Sequence, residues 1–305
     1  MKNLYDVIIV GAGPAGLSSA IYTGRARLKT LIIEKGAPGG QILLADFVEN
    51  YPGFPKGVTP FQLMDGFKNH AEKFGAKIEI SEAKKVQKEN KKWKVITEKG
   101  EYTTRALIIS TGSSYRKLNV PGELRLTGKG VSYCATCDAA FFKDKEVAVI
   151  GGGNHALIEA LFLTKFSKRV KIIHRGKQFR GEKINQERIF SNDKIDIIWG
   201  SVVVEISGKD KLESITIENV KTHEVSNLKL DGCFVAIGMN PNSEFIKEVV
   251  DIDREGQIKV NHDMATSQPG IFAAGDITNN CPKQIAIAVG SGVIAALSID
   301  KYLEK

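Results

Sequence analysis

Asp6-Val7-Ile8-Ile9-Val10 runs directly into Gly11-Ala12-Gly13-Pro14-Ala15-Gly16, and a helical stretch, Leu17 to Arg27, follows. An apolar run of this length bounded by glycine reads as a strand buried on both faces. The three glycines have separate duties: Gly11 permits a tight turn, Gly13 lets backbone approach a pyrophosphate, and Gly16 lets helix pack on strand. The helix start turns its unpaired amides toward the phosphates. A second strand, Thr30-Leu31-Ile32-Ile33, ends in Glu34, at the distance where an acid receives ribose hydroxyls and favours an unphosphorylated adenosine ribose. A glycine pattern alone is a weak signal. Strand, turn, helix, strand and acid in order predict a dinucleotide-binding unit.

The pattern restarts at Glu146-Val147-Ala148-Val149-Ile150, which enters Gly151-Gly152-Gly153-Asn154-His155-Ala156 and helix-like residues to Phe166. Alanine replaces the last fingerprint glycine. The following strand, Val170 to Ile173, ends in His174-Arg175 with Lys177 and Arg180 close behind, and no acid. Guanidinium groups in place of a carboxylate favour a ribose 2′-phosphate, hence NADP over NAD. Arg175 and Arg180 merely solvating a surface turn is the alternative.

Between the units lies Tyr133-Cys134-Ala135-Thr136-Cys137-Asp138. If this segment opens a helix, Cys134 and Cys137 sit three apart on one face, within reach of a reversible disulfide. Asp138 beside them would exchange protons with a departing or attacking sulfur. Half a zinc site is the competing reading, but Cys233 and Cys281 are isolated and form no second close pair, so no metal is expected.

With 305 residues and 42% hydrophobic content the chain predicts two ordinary cores. No apolar run reaches a membrane span and the start does not resemble a secretory signal, so a cytoplasmic protein is expected, with no membrane association. Few cysteines suit a reducing compartment. The net charge of +8 draws on Lys84 to Lys94, read as the solvated face of a hairpin; it would steer acidic partners, and without interleaved aromatics it does not argue for nucleic acid. Phe61, Met64, Phe67 and Ala71 have the spacing of a helix packed on a core, Ser113 to Gly122 reads as a linker, and Cys233 as a small buried residue. Gln284 to Tyr302 reads as a long helix. A second crossing near Met239 to Asn242 implies one domain inserted in another, with 1–115 and 244–305 forming one and 116–243 the other. The fold class is α/β, with two Rossmann-like dinucleotide-binding domains, the second inserted into the first.

The order GAGPAG, VENYPG, CATCD, GGGNHA, HRG with a following FR, and AAGD resembles the low-molecular-weight thioredoxin reductase family along essentially the whole chain. The resemblance implies a homodimeric flavoenzyme with an FAD domain built from both chain ends and an inserted NADPH domain carrying the disulfide. It implies FAD contacts from Gly11, Gly13, Pro14, Ala15 and Gly16 at the pyrophosphate and Glu34 with Lys35 at the ribose. Gly40, Gln41 and Asn50 would line the ribityl and flavin region, Val86 with Thr111 and Gly112 the adenine side, and Gly275, Asp276, Lys283, Gln284 and Ile285 the flavin end. NADPH would meet Gly151, Gly153, Asn154, His155, His174, Arg175, Arg180, Ile237 and Gly238. Cys137 would face the flavin, Cys134 would attack the thioredoxin disulfide, and Asp138 would serve that exchange as acid and base. Lys129, Phe141 and Phe142 would dock thioredoxin.

The chain departs from the family where His155 replaces a serine or threonine, Gly176 a second arginine, and Lys283 an arginine. One lost charge-assisted phosphate contact costs about 1.5–3 kcal/mol, which would blunt discrimination between NADPH and NADH. NADH, or a non-nicotinamide donor such as reduced ferredoxin or flavin, is the rival donor. A flavin-binding redox sensor with no turnover is the rival of another class.

Overall fold

The computed structural model describes residues 4–44, 48, 50–279 and 282–304; the side chains of Leu44 and Cys137 lie outside that set, as do Glu49 and Cys281. The chain opens with β1 (Leu4–Val10), whose Val7, Ile8 and Ile9 have no exposed surface. Burying each contributes about 1.5–3 kcal/mol. Helix α1 (Pro14–Arg25) starts with proline in its first turn, where a missing N–H leaves nothing unsatisfied, and β2 (Thr30–Glu34) returns parallel to β1.

Helix α2 (Pro60–Lys73) is capped by Thr59, whose Oγ1 accepts the Gln62 N–H. Met64 and Ala71 are buried and Phe67 packs on the core, but Phe61 is 72% exposed. The buried face is instead set by Leu63, Met64, Phe67 and Ala71, and at 3.6 residues per turn Phe61 lies roughly 100° round from it. Strands β3 (Lys77–Ile80), β4 (Ala83–Glu89), β5 (Lys92–Thr97) and β6 (Gly100–Ile109) follow. Antiparallel β4 and β5 form the lysine-rich hairpin, in which Lys84 pairs with Glu82 and Glu98, and Lys94 with Glu89 and Glu101.

After β7 (Ser113–Tyr115) the chain enters a second compact unit, residues 115–239. Its elements are α3 (Glu123–Leu126), β8 (Val131–Ser132), α4 (Ala135–Asp138), β9 (Glu146–Ile150), α5 (Asn154–Leu163), β10 (Arg169–His174), α6 (Lys183–Phe190), β11 (Ile195–Trp199), β12 (Ser201–Ser207), β13 (Ser214–Asn219), β14 (Val225–Lys229) and β15 (Gly232–Val235). Strands in the order β11-β10-β9-β15-β8 form a parallel sheet, and β12-β13-β14 an antiparallel meander. The stretch read as a linker is tied down: the Glu123 carboxylate accepts the N–H groups of Leu118 and Asn119 and the Tyr133 hydroxyl, all within 2.8 Å.

The chain leaves through β16 (Met239–Pro241), which pairs with β7, and the first compact unit takes up again at residue 240. There β17 (Ile271–Ala273) pairs with the last three residues of β6, completing a seven-stranded sheet ordered β3-β2-β1-β6-β5-β4. Helix α7 (Ile285–Leu303) packs against α1: the Ser18 and Ser19 hydroxyls donate to Val289 O and Gly292 O, and a Cβ on Gly292 would fall 2.2 Å from Ala15 O. Contrary to the sequence expectation that no apolar run reaches a membrane span, α7 alone among the described residues is long and apolar enough to cross one, its glycines, alanines and serines having masked the run; Ala288, Ala295, Ala296 and Ile299 form its buried face.

Candidate active site

In the first unit the candidate residues gather at the carboxyl ends of the parallel strands. Gly11 has φ +104°, and its N–H donates to Ile33 O at 2.8 Å. A Cβ on Gly16 would stand 1.9 Å from Gly11 O, so only glycine fits there. Gly13 precedes α1, Pro14 begins it, and Ala15 is buried behind. The next glycine loop lies against this turn: the Gly39 N–H donates to Ala12 O, and Gly40 has room for a side chain only up to Gly13 Cα, 3.2 Å from its would-be Cβ. Glu34 buttresses the turn, accepting the N–H groups of Ala12 (2.7 Å) and Gly36 (3.0 Å), while Lys35 is exposed.

Gln41 donates through Nε2 to Ser113 O at 2.9 Å, but its Oε1 is buried and accepts nothing from the described residues. Thr111 and Gly112 are held by Asn242, which exchanges hydrogen bonds with Thr111 and donates its N–H to Gly112 O. Asn50 Nδ2 donates to Gln284 Oε1 at 3.1 Å, bringing together residues 234 positions apart. Gly275 abuts Ala15, its N–H donating to Ser291 Oγ. Burial raises the Asp276 carboxyl above the usual range and Lys283 opposes the rise. Ile285 packs on Val48, Val58 and Leu63. The Val86 side chain is in the core with Ile33 and Ile109, so only its backbone is left to meet a ligand. The orphaned Gln41 oxygen and two glycine loops in contact are features that a bound dinucleotide would fit.

The second unit repeats the arrangement. Gly151 (φ +152°) faces Ala236 O, 2.3 Å from its would-be Cβ, and Gly153 precedes α5. Asn154 Oδ1 accepts the Glu182 N–H and Asn185 Nδ2, and the Arg180 N–H donates to Gly152 O. His174 is buried under the turn, wedged beneath Gly152 and Gly176, with Nε2 at 3.1 Å from Gln178 O and its ring near Phe179 and Trp199. Burial lowers its pKa, so it holds the loop as a neutral ring. Arg175, Arg180 and His155 are exposed. Gly238 (φ +109°) follows Ile237, and its carbonyl accepts the Arg116 N–H.

Cys134 is disulfide-bonded and precedes α4 as its N-cap; Cys233 is free and buried, its thiol pushed up to about 12 by burial. The Cys134 N–H donates to Ser132 Oγ, its Sγ lies 3.2 Å from Thr136 Oγ1, and its carbonyl accepts the Asp138 N–H. The side chain of Cys137 lies outside the described residues. Phe141 is 65% exposed, whereas Phe142 is buried edge-on against Phe234 beneath Gly232. Phe142 thus lies in the core, whereas Phe141 and Lys129 are exposed. Sequence reasoning missed Glu159 on α5, whose Oε1 accepts the Ala135 N–H at 2.9 Å. Its only trace was one acid within the apolar run Ala156 to Leu163.

Two dinucleotide-type folds on one chain, the second with a disulfide-bonded cysteine at a helix start, define a nucleotide-dependent disulfide oxidoreductase. The pyridine nucleotide-disulphide oxidoreductase family model matches residues 5–292. The thioredoxin reductase of Bacillus subtilis (strain 168) is 45% identical over 306 residues, spanning 100% of this chain and 96% of that protein. Among solved structures, Lactococcus lactis thioredoxin reductase in the FR conformation is 41% identical with TM-score 0.81, covering 98% of this chain and 99% of its own. That of Streptococcus pyogenes MGAS5005 is 44% identical with TM-score 0.80, covering 100% and 99%. The chain belongs to the pyridine nucleotide-disulphide oxidoreductases and, within them, to the low-molecular-weight thioredoxin reductase family.

Proposed function

We propose that the protein passes electrons from NADPH through FAD and the Cys134–Cys137 disulfide to thioredoxin or a thioredoxin-like protein. The observation that carries the reading is the disulfide at Cys134, set at the start of α4 in a unit that has its own dinucleotide turn. The first unit would hold FAD, through the Gly11 to Gly16 turn at the pyrophosphate, Glu34 at the ribose and Gln41 at the flavin, its free Oε1 supplying an acceptor. FAD supplies a two-electron relay between a nicotinamide and a disulfide. The second unit would hold NADPH against the amides that open α5, with Arg175 and Arg180 on the 2′-phosphate. Reduced Cys134 attacks one sulfur of the partner disulfide, its position ahead of the first helical amides stabilising the thiolate. Asp138, one turn on, holds and returns the proton of that exchange.

The positive net charge steers acidic partners to exposed Phe141 and Lys129. A homodimer would cover apolar side chains that α7 leaves exposed, Ile294 and Leu297. We assign the protein to the cytoplasm, where a thioredoxin is kept reduced.

One observation favours NADH as a second donor. Gly176 has no side chain to bind phosphate, and a Cβ there would press on His174 Nε2 at 2.7 Å. The test is an anaerobic titration with NADPH and with NADH, following the oxidised-flavin absorbance band. Stoichiometric bleaching by micromolar NADPH supports the primary reading, preference for NADH the second, and bleaching by dithionite alone a different electron carrier. Arg175→Ala is expected to raise KM for NADPH about tenfold to a hundredfold, the loss of one charge-assisted contact, with KM for NADH unchanged. Equal losses for both donors would remove Arg175 from the phosphate site.

A further inference from the structure

Glu159 has no part in the chemistry above. It is the one acid on the buried stripe of α5, 5% exposed among Ala156, Leu157, Ala160 and Leu163. Its Oε1 accepts the N–H of Ala135, and that N–H belongs to the peptide joining Ala135 to Cys134. Its Oε2 is buried and accepts no hydrogen bond from the described residues. An ionised carboxylate so placed is penalised by its surroundings, and a protonated one is not. Solvent is within reach on one side: His155, one turn earlier, brings Nε2 to 3.5 Å from Oε1 with its side chain 52% exposed.

The charged groups facing this carboxyl are Asp138 on α4 and His155 on its own helix. The strands packed against α5 present charges that are paired with one another, Glu146 with Lys171 and Arg169 with Asp196, and α6 presents Asn185 to Asn154. Burial pushes the Glu159 carboxyl up to about 7, with Asp138 adding to the rise and the Ala135 amide opposing it. It is therefore divided between its two forms near neutral pH while the adjoining sulfur is locked in a neutral disulfide.

We infer that Glu159 is a proton store for the disulfide, filling when the Cys134 disulfide is reduced and emptying when it re-forms. The inference rests on the redox role given to that disulfide above. Two electrons break the S–S bond and two protons are taken up: one forms a thiol, the other goes to Glu159, and the second sulfur stays a thiolate. Without the second transfer, thiolate and carboxylate would repel each other across one peptide unit. With it, the nucleophile stays charged and the buried carboxyl neutral. Re-formation of the disulfide releases both protons. Asp138 serves the exchange itself; Glu159 is a positioning residue that sets the charge around it.

The test uses the full-length flavin-loaded protein equilibrated in dithiothreitol buffers from pH 6 to 8.5, the reduced fraction being read by thiol alkylation and mass. Glu159→Gln keeps an oxygen acceptor for the Ala135 N–H and cannot store a proton. Wild type is expected to take up about one and a half protons per two electrons at pH 7, rising toward about two at pH 8, and the variant to stay near about one. At pH 8 the variant disulfide should be about tenfold easier to reduce, or about 30 mV for a two-electron couple. Identical proton counts and equilibria in the two proteins would overturn the inference while leaving the disulfide's role intact. If the variant does not fold, infrared difference spectra of wild type decide: reduction at pH 7.5 should bring up the C=O stretch of a protonated carboxylic acid, and its absence overturns the proposal. A wild-type disulfide that dithiothreitol cannot cycle would take both readings down together.

Discussion

Cys134→Ser is expected to abolish thioredoxin reduction while leaving reduction of the bound flavin by the nicotinamide donor at its wild-type rate. The loss should exceed about a thousandfold, since a serine hydroxyl at neutral pH is neither ionised nor able to form a mixed disulfide. Folding is not the confounding factor. Serine is among the favoured residues at a helix N-cap, the position Cys134 holds ahead of α4, and its hydroxyl can keep the contact with Thr136 Oγ1. The selective outcome separates the readings: a flavin-binding sensor predicts no thioredoxin turnover in either protein, and a reductase predicts it in wild type alone. Stopped-flow flavin reduction and a coupled thioredoxin assay on one preparation measure both halves. Thioredoxin turnover surviving in the variant would mean that the attacking sulfur has been misassigned.

What could be read from the sequence was whatever the backbone makes obligatory. Gly16 has to be glycine because Gly11 O occupies the place of its Cβ, and Gly151 because Ala236 O does the same in the second unit. Such constraints are local, and they recur at fixed spacing, so the turns of both units and the α/β class were legible before any coordinates. Side-chain direction was less so. Periodicity put Phe61 in the core and family resemblance put Phe142 on the docking surface; the first is exposed and the second is buried against Phe234. Both are aromatic, and only the packing partners supplied from distant positions distinguish them. Residues 113–122 looked slack because composition does not reveal that the Glu123 carboxylate collects two amides and the Tyr133 hydroxyl. Glu34 accepts the Ala12 amide, a contact that its spacing from the glycine turn did not suggest. Glu159 was hidden for the same reason. An acid in an apolar helix looks like one more surface residue until α4 is folded over it.

That concealed carboxyl has a measurable effect on stability. Its pKa moves from an ordinary 4.5 to about 7 on folding, with desolvation the largest cause. The folded state therefore binds more protons than the unfolded chain between these two values, and stability contributed by this group is complete below pH 4.5 and is lost as pH rises to about 7. At 1.36 kcal/mol per pKa unit the loss amounts to about 3 kcal/mol, an appreciable part of a typical folding free energy. Glu159→Gln removes the ionisation and keeps an acceptor for the Ala135 N–H. Its stability should match wild type near pH 4.5 and exceed it by up to about 3 kcal/mol at pH 8, the gap opening through the intervening range. Denaturant unfolding of the oxidised proteins at a series of pH values, with the flavin retained, reads this directly. A constant difference across the series would mean that the carboxyl titrates as it does in the unfolded chain. The expected divergence instead ties the two properties of the residue together: folding tolerates a poorly solvated carboxylate at neutral pH in the disulfide state, and the proton that relieves it arrives when the sulfurs acquire charge.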